Sequence, residues 1–274
     1  MNRFTYISFP ARFAPNRLPS QPNNAHPVHS TNAFRSLCPP SSRSQSVQDH
    51  MIPWDELGRA RIPGSDSELV LAQRGREYSI KIAGHTSELM NSRLHGSEDA
   101  LADYACELIV NRKRPRILIG GLGMGFTLAA ALKVLGPDAS VTVAELVPEV
   151  VEWNRGPMSM VAGYPLTDER ARVHVGDVAD LIRASDAAYD AILLDVDNGP
   201  EGMTKEANDW LYSLPGLLAA QSALRPHGVL AVWSAGADDR FTARLQKAGF
   251  SAQTRMARAR PGKGARHTIW LARI

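Results

Sequence analysis

Residues 117–125 read ILIGGLGMG, and this stretch decides the fold. An apolar run, a glycine-rich turn and a run of helix formers from Met124 to about Leu135 predict a strand, a tight turn and a helix. A second apolar run ends in Glu145, twenty positions after the last glycine of the turn. A strand, a glycine turn and a helix, followed by a strand that ends in a carboxylate, is the arrangement by which α/β folds hold an adenosine-type ligand.

The chemistry of this turn restricts the ligand. Glycines let the backbone approach a ligand without Cβ contact, and the helix behind them points free N–H groups at it. The carboxylate of Glu145 can accept both ribose hydroxyls. Phe126 stands where a dinucleotide-binding turn needs a small residue, and the Walker pattern is absent, so the sequence favours S-adenosylmethionine (SAM). The predicted contacts from the turn are Gly120, Gly121, Gly123 and Gly125.

The formal charge of +3 has its origin at the N-terminal end of the chain. Residues 1–50 carry five Arg and one acidic residue, Asp49, whereas the remainder has 26 basic and 27 acidic residues. This balance argues against a nucleic-acid footprint spread over the fold. Cys38 and Cys106 cannot form a disulfide framework, which favours a reducing compartment, and we expect a cytoplasmic location. The sequence contains no metal-ligand spacing and no apolar run that predicts a membrane span.

Three segments are predicted along the chain. Residues 1–50 hold seven Pro and eight Ser without a hydrophobic period, so we expect a disordered tail, a targeting peptide or a misassigned start with Met51 as the true initiator. Residues 51–92 are expected to form a small β appendage, because ELVLAQRGREYSIKI at 68–82 alternates apolar and polar residues around a turn. Residues 93–274 are expected to form the SAM-binding transferase domain.

Strands and helices alternate through the predicted domain, which indicates an α/β fold. The continuous apolar strands AILLD and VLAVW imply a sheet covered on both faces, and therefore a doubly wound, Rossmann-like arrangement. Ser97 is predicted to cap the helix that precedes the glycine turn. A closing antiparallel pair is predicted near 250–256 and 267–272. The other predicted strands lie near 116–120, 141–146, 172–175, 190–195 and 228–233.

Together these motifs resemble those of the spermidine synthases, within the wider class I SAM-dependent methyltransferase fold. The resemblance covers roughly residues 68–250 and includes the hairpin, the glycine turn, VAELVPEVVEW around Glu145, AGYPLTDERARVHVGD ending at Asp177, and YDAILLDVD. It implies that Gly176 and Asp177 border the adenine, where a carboxylate can accept from the exocyclic amine. Asp177 also has the sequence position of a helix N-cap, and the two roles are compatible.

The chain departs from this family at three places. Gly123 stands where the family carries an Asp that helps to hold the amine of decarboxylated SAM. Residues 96–98 read Gly-Ser-Glu in place of the family's Tyr-x-Glu, and one residue fewer separates Asp195 from Asp197 than separates the two acids of the family's Asp-Ser-Ser-Asp-Pro. Because an unpaired buried ammonium is costly, the loss at Gly123 predicts SAM, in preference to decarboxylated SAM, as the donor.

The predicted chemistry is displacement at a carbon attached to a cationic sulfur. The enzyme must align the attacking atom, the carbon and the sulfur, and must remove a proton if the nucleophile arrives protonated. Asp197 and Asp195 are the candidate catalytic bases, with Asp195 also a cofactor contact, because they follow the central strand at the edge where such sheets bind ligands. Turn chemistry offers each acid a structural role instead. Trp233, at the end of the next strand, is the aromatic residue most worth testing as a substrate contact.

The expected function is SAM-dependent methyl transfer to a small-molecule acceptor. Aminopropyl transfer from decarboxylated SAM to a diamine such as putrescine is the alternative, and a non-catalytic SAM-binding protein is a further one. An NAD-linked oxidoreductase is disfavoured by Phe126. We expect no metal, membrane or nucleic-acid partner, and a homodimer stays open. The basic run between Arg255 and Arg266 is expected to be a solvated loop, with contact to an anionic substrate or RNA as the alternative.

Overall fold

The computed structural model describes residues 52–85, 88–196, 210–260 and 263–274. The predictions for residues 1–50 and for Met51 therefore lie outside the described residues. Within the described residues, eleven strands form two sheets. The first sheet is antiparallel, in the order β1-β2-β3-β4, and consists of β1 (Asp55–Arg61), β2 (Glu68–Arg74), β3 (Glu77–Ile82) and β4 (Glu88–Asn91).

The predicted hairpin is confirmed, because β2 pairs with β3 around Gly75, whose φ is 58°. The sequence pattern does not indicate the outer strands β1 and β4. β1 reads DELGRAR and is exposed at most of its positions, so it lacks the apolar alternation that marks a half-buried strand. β4 has only four residues, which is too short for a periodic signal.

The second sheet has the strand order β10-β11-β9-β8-β5-β6-β7 in the described residues. β5 to β9 are mutually parallel, and β11 runs antiparallel to both of its neighbours. The strand order reverses beside β5, so the carboxyl ends of β5, β6 and β8 meet where such sheets bind ligands. The strands are β5 (Arg116–Gly120), β6 (Ser140–Glu145), β7 (Ala171–Val175), β8 (Tyr189–Leu194), β9 (Leu224–Ser234), β10 (Ser251–Arg260) and β11 (Lys263–Arg273).

Helices cover both faces of this sheet. On β5, Ile117 and Ile119 pack into one core cluster, while Leu118 between them packs into the other. β8 is buried at every position. The predicted doubly wound α/β fold is therefore confirmed. The helices are α1 (Gly96–Glu107) and α2 (Phe126–Val134) on the first face, α4 (Val178–Arg183), α5 (Leu214–Ala223) and α6 (Asp239–Lys247) on the second, and α3 (Pro148–Arg155), which follows β6.

Two helix starts differ from the prediction. α1 begins at Gly96, and His95 stands at its N-cap without a side-chain cap bond, so the predicted Ser97 cap is wrong. Ser97 is fully buried, and its hydroxyl is engaged by other side chains. α2 begins at Phe126, two residues later than predicted, because Gly125 at its N-cap has a left-handed φ of 86°. The described part of the chain holds no helix with the length and apolar character of a membrane span.

The glycine turn between β5 and α2 depends on close contact between protein atoms. Gly121 has a φ of 90°, and a Cβ at this position would lie 2.3 Å from the carbonyl oxygen of Asp195. A Cβ on Gly123 would lie 3.0 Å from Sδ of Met90. The sequence predicts that the glycines of this turn leave room for a ligand. In the structure, Gly121 leaves room for the backbone of Asp195, which follows β8, and Gly123 leaves room for the Met90 side chain on β4. The turn is therefore required for packing.

We expect Gly121→Ala to lower the free energy of unfolding more than Gly64→Ala does. Both glycines have a positive φ, and an alanine there costs about 1–2 kcal/mol from backbone strain alone. A Cβ at Gly64 meets nothing within 4 Å, whereas at Gly121 it meets the Asp195 backbone, which adds a penalty on the order of 1–3 kcal/mol. Urea unfolding of the two variants measures the difference. Equal destabilisation would contradict the packing role of Gly121.

Candidate active site

Two adjoining clefts open at the carboxyl ends of β5, β6 and β8. The larger, of about 890 Å³, is the turn cleft, and it is lined by residues that include Gly121, Gly123, Glu145, Gly176, Asp177 and Asp195. The smaller, of about 570 Å³, is the carboxylate cleft, and its lining includes Met90, Glu98, Phe126, Thr127, Asp195 and Trp233. The two clefts share Leu89, Met90, Gly123 and Asp195, so they form one continuous site.

The sequence-predicted residues divide between this site and its surroundings. Six of them line the turn cleft, as given above. Gly120 and Gly125 line neither cleft: a Cβ on Gly120 would meet Val178, and one on Gly125 would meet Asn154 and Pro165. Asp197, the preferred candidate base, lies outside the described residues, and its role stays a prediction.

Two acids of the turn cleft are also bound by backbone N–H groups. Glu145 is buried and accepts from the N–H groups of Leu122 and Val147, each at 2.9 Å. Burial raises the pKa of Glu145, and these backbone hydrogen bonds act in the opposite direction. Asp177 accepts from the N–H of Ala179 at 2.8 Å and caps α4. Each acid therefore has a structural role, and each retains carboxylate lone pairs that a ligand can use.

Glu98 at the start of α1 and Asp195 after β8 share the carboxylate cleft. Burial, and then the negative charge of Asp195, raise the pKa of Glu98 from 4.5 to about 7. Burial raises the pKa of Asp195 from 3.8 to about 6, opposed by the hydrogen bond that Thr127 Oγ1 donates to Asp195 Oδ2. Because two buried carboxylates in one cleft disfavour double ionisation, the pair retains a proton up to near-neutral pH. Such groups can accept a proton from a bound ligand or stabilise its positive charge.

A chain of hydrogen bonds runs from Glu98 through Ser97 to His267. Ser97 Oγ donates to Glu98 Oε2 at 2.6 Å, and Nδ1 of His267 on β11 lies 2.7 Å from the same hydroxyl. The His267 ring packs against Trp233, with ring centroids 4.8 Å apart. Sequence reasoning missed Ser97, Thr127 and His267 as site residues. The Gly-Ser-Glu departure at 96–98 was a usable signal for Ser97, but His267 is 170 positions away from it and carries no local motif.

The backbone of the terminal hairpin occupies the space beside Gly96. A Cβ at Gly96 would lie 2.8 Å from the carbonyl oxygen of Arg258 on β10. This position corresponds to the tyrosine of the family pattern, and a side chain of any size would collide with β10 here. A tyrosine at position 96 is therefore incompatible with the present position of β10 beside α1.

Two further tryptophans pack against protein side chains. Trp270 is fully buried and donates to Thr242, while Trp210 stacks with Arg183. The described residues of the basic run between Arg255 and Arg266 lie on β10 and β11, so the loop predicted for them is wrong. Arg255 pairs with Glu107, whereas Arg258, Arg260 and Arg266 are exposed. Within the described ranges, no group of three or more His, Cys, Asp or Glu side chains is arranged to hold a metal ion.

We expect Glu98→Gln to reduce the loss of stability that the protein undergoes between pH 4.5 and 7. The folded-state pKa of Glu98 is raised from 4.5 to about 7, so the folded protein binds more protons than the unfolded chain in this range, and its stability falls as the pH rises. The loss from a shift of this size is on the order of 3 kcal/mol. Urea unfolding at several pH values measures it. Glu149→Gln, at an exposed position of α3, is the matched control, and identical pH profiles for both variants would contradict the expectation.

Comparison with known proteins agrees with this geometry. The sequence model of the Spermine/spermidine synthase domain matches residues 96–237, just over half of the chain. No curated protein sequence matches. Three solved structures are similar to 80% of this chain, and the first is a spermidine synthase from Thermotoga maritima, with 16% identity, a TM-score of 0.61 and 72% of its own chain covered. The second is a spermidine synthase in complex with the transition state analogue AdoDATO, with 15% identity, a TM-score of 0.59 and 72% of its own chain covered. The third is a probable spermidine synthase from Corynebacterium glutamicum, with 14% identity, a TM-score of 0.57 and 79% of its own chain covered.

At these identities the solved structures establish the fold, and the family match establishes the family. The glycine turn, Glu145 and Asp177, which the matched segment includes, line the turn cleft together. The chain thus belongs to the spermine/spermidine synthase family, and it is a class I SAM-dependent transferase with a SAM-type cofactor.

Proposed function

We propose that this protein transfers an aminopropyl group from decarboxylated SAM to a small amine. The observation that carries the proposal is the buried carboxylate pair, Glu98 and Asp195, in the cleft that adjoins the turn cleft. Family membership supports it, as does the similarity to a spermidine synthase in complex with AdoDATO. Methyl transfer, the expectation from the sequence, becomes the second candidate.

Gly123, where an acid of the family is missing, disfavours decarboxylated SAM when the sequence is considered alone. Gly123 lines the same cleft as Glu98 and Asp195, so two carboxylates of this cleft can take the place of the missing acid. Buried negative charge stabilises an ammonium and repels the carboxylate that SAM carries at the corresponding end. The charge of the cleft therefore favours a donor without that carboxylate.

The reaction requires a neutral amine. An acceptor that arrives as an ammonium loses one proton to a carboxylate, and the freed nitrogen lone pair attacks the aminopropyl carbon next to sulfur. The C–N bond forms while the C–S bond breaks, and its electron pair returns to sulfur, which becomes a neutral thioether. Asp195 and Glu98, with pKa values raised to about 6 and about 7, suit proton removal near neutral pH. Asp197 remains the base predicted from the sequence.

The rest of the site suits the other parts of the two substrates. In this proposal Glu145 accepts the ribose hydroxyls, Gly176 and Asp177 border the adenine, and Gly121 and Gly123 pass beside the donor. Phe126, Met90 and Trp233 line the carboxylate cleft with apolar surface, which suits the methylene groups of a diamine. The sheet of β1 to β4 acts as an appendage that covers the donor, since Leu89 and Met90 of β4 line both clefts. A homodimer and a cytoplasmic location stay predictions.

We expect the protein to bind decarboxylated SAM at least about tenfold more tightly than SAM, a difference of ~1.4 kcal/mol. Glu98→Gln should narrow this preference, because it removes a negative charge from the cleft, whereas Glu149→Gln should leave it unchanged. Isothermal titration calorimetry with both donors measures the preference. Tighter binding of SAM, with methylated product from an acceptor screen, would replace aminopropyl transfer by methyl transfer.

We expect Asp195→Asn to lower kcat for aminopropyl transfer to putrescine on the order of 10²-fold, because it removes a proton acceptor. Mass spectrometry of the product measures the rate, and Asp197→Asn tested in parallel separates the two candidate bases. Asp66→Asn, in the exposed turn after β1, is the control. Donor binding without product from any amine in the wild-type protein would favour the non-catalytic alternative.

A further inference from the structure

Ser97 connects the carboxylate cleft to the terminal hairpin. Its side chain is fully buried, and its hydroxyl lies 2.6 Å from Glu98 Oε2 and 2.7 Å from His267 Nδ1. A serine hydroxyl carries one hydrogen and can donate in one direction only. When Glu98 is ionised, Ser97 donates to it and accepts from Nδ1–H of His267. When Glu98 is protonated, this chain of hydrogen bonds can reverse, with Glu98 donating to Ser97 and Ser97 donating to an unprotonated Nδ1.

We propose that His267, acting through Ser97, removes the proton that the acceptor amine delivers to Glu98 and releases it to solvent. The proposal rests on the aminopropyl-transfer function above. That reaction releases one proton per turnover, because an ammonium acceptor becomes a secondary ammonium product while the sulfonium becomes a neutral thioether. A buried carboxylate that accepts this proton must lose it before the next turnover.

Each transfer along this chain of hydrogen bonds is balanced. The proton on Glu98 Oε2 moves to Ser97 Oγ as the hydroxyl hydrogen of Ser97 moves to Nδ1 of neutral His267. The resulting imidazolium loses its Nε2 proton to water, which leaves Nδ1–H pointing at Ser97 and Ser97 donating to ionised Glu98. Exchange of the imidazole tautomer through solvent then restores the starting state. His267 is only partly buried, so its ring can exchange protons with water.

The surroundings of His267 favour this role. Burial lowers the pKa of His267, so the ring is neutral at pH 7 and the imidazolium gives its proton to water readily. α1 brings Glu98 to His267 through the Ser97 hydroxyl. β9 contributes Trp233 and β10 contributes its register partner Ala257, neither of which titrates in this range. Arg255, two residues along the same face of β10, is paired with Glu107.

A purely structural role for His267 makes different predictions. In that case the hydrogen bond to Ser97 only fastens β11 to α1, and its loss lowers stability without a specific effect on proton transfer. A proton path predicts that a small diffusible base can replace the missing imidazole. It also predicts that the tautomer of His267 responds to the charge of Glu98 in the protein without ligands.

Kinetics with decarboxylated SAM and putrescine test the path. We expect His267→Ala and Ser97→Ala to lower kcat on the order of 10²-fold, with a smaller change in KM, and added imidazole to restore much of the rate of His267→Ala. His85→Ala, in the exposed turn after β3, is the control and should retain the wild-type rate. A wild-type rate in His267→Ala, or a loss that imidazole does not rescue, overturns the proton path. Thermal unfolding verifies that each variant is folded.

NMR titration of the histidine rings in the ligand-free protein supplies a readout that does not depend on turnover. We expect the neutral His267 ring to favour its Nδ1–H tautomer once Glu98 ionises near pH 7, and we expect Glu98→Gln to abolish this change. The same tautomer response of His267 in the wild-type protein and in Glu98→Gln overturns the connection through Ser97. Absence of aminopropyl transfer by the wild-type protein overturns the proposed function and the path together. An active wild-type protein with unaffected variants overturns the path alone.

Discussion

The site depends on one close backbone contact, that of Gly121 with Asp195. Because Gly121 has no Cβ, the carbonyl oxygen of Asp195 can approach the turn, at a point only 2.3 Å from where a Cβ would lie. Hydrogen bonds around this contact join three strand ends: Gly121 N–H donates to Ala144 at the end of β6 at 2.8 Å, and Leu122 N–H donates to Glu145 at 2.9 Å. The turn therefore holds β5, β6 and β8 in register where their carboxyl ends form the two clefts.

Packing around these strand ends holds Glu98 and Asp195 together despite the cost of burying two acids. Glu98 lies on α1, Asp195 directly follows β8, and the Thr127 hydroxyl that donates to Asp195 lies on α2. Three elements of the fold must pack correctly before these groups meet, so none can move away to solvent without disturbing the core. The cost of burying the two acids appears as raised pKa values and lower stability towards neutral pH, and clusters of perturbed groups of this kind mark functional sites. An ammonium in the cleft would offset that cost.

The sequence predicts well those features whose cause is local. The glycine turn, Glu145 after β6 and the capping position of Asp177 all depend on residues within a few positions, and the structure has them close to the expected places. The Ser97 cap is wrong because its hydroxyl binds Glu98 and contacts His267, and the hairpin that supplies His267 lies at the far end of the chain. Burial and long-range pairing of this kind leave no periodic signal in one sequence. The same reason applies to Gly123, since Glu98 and Asp195, the acids that line its cleft, come from distant elements.

The position of the terminal hairpin gives a physical reason for the departure from the family pattern at residues 96–98. Gly96 lets the carbonyl of Arg258 approach α1, and the register of β10 and β11 puts the small Ala257 opposite His267. Two small residues thus allow the hairpin to lie against the start of α1, where a tyrosine at position 96 would exclude it. The Ser97 hydroxyl, which lies between Glu98 and His267, adds a side-chain contact between α1 and the hairpin. Restoring the tyrosine alone cannot recreate the family's arrangement, because β10 would first have to move.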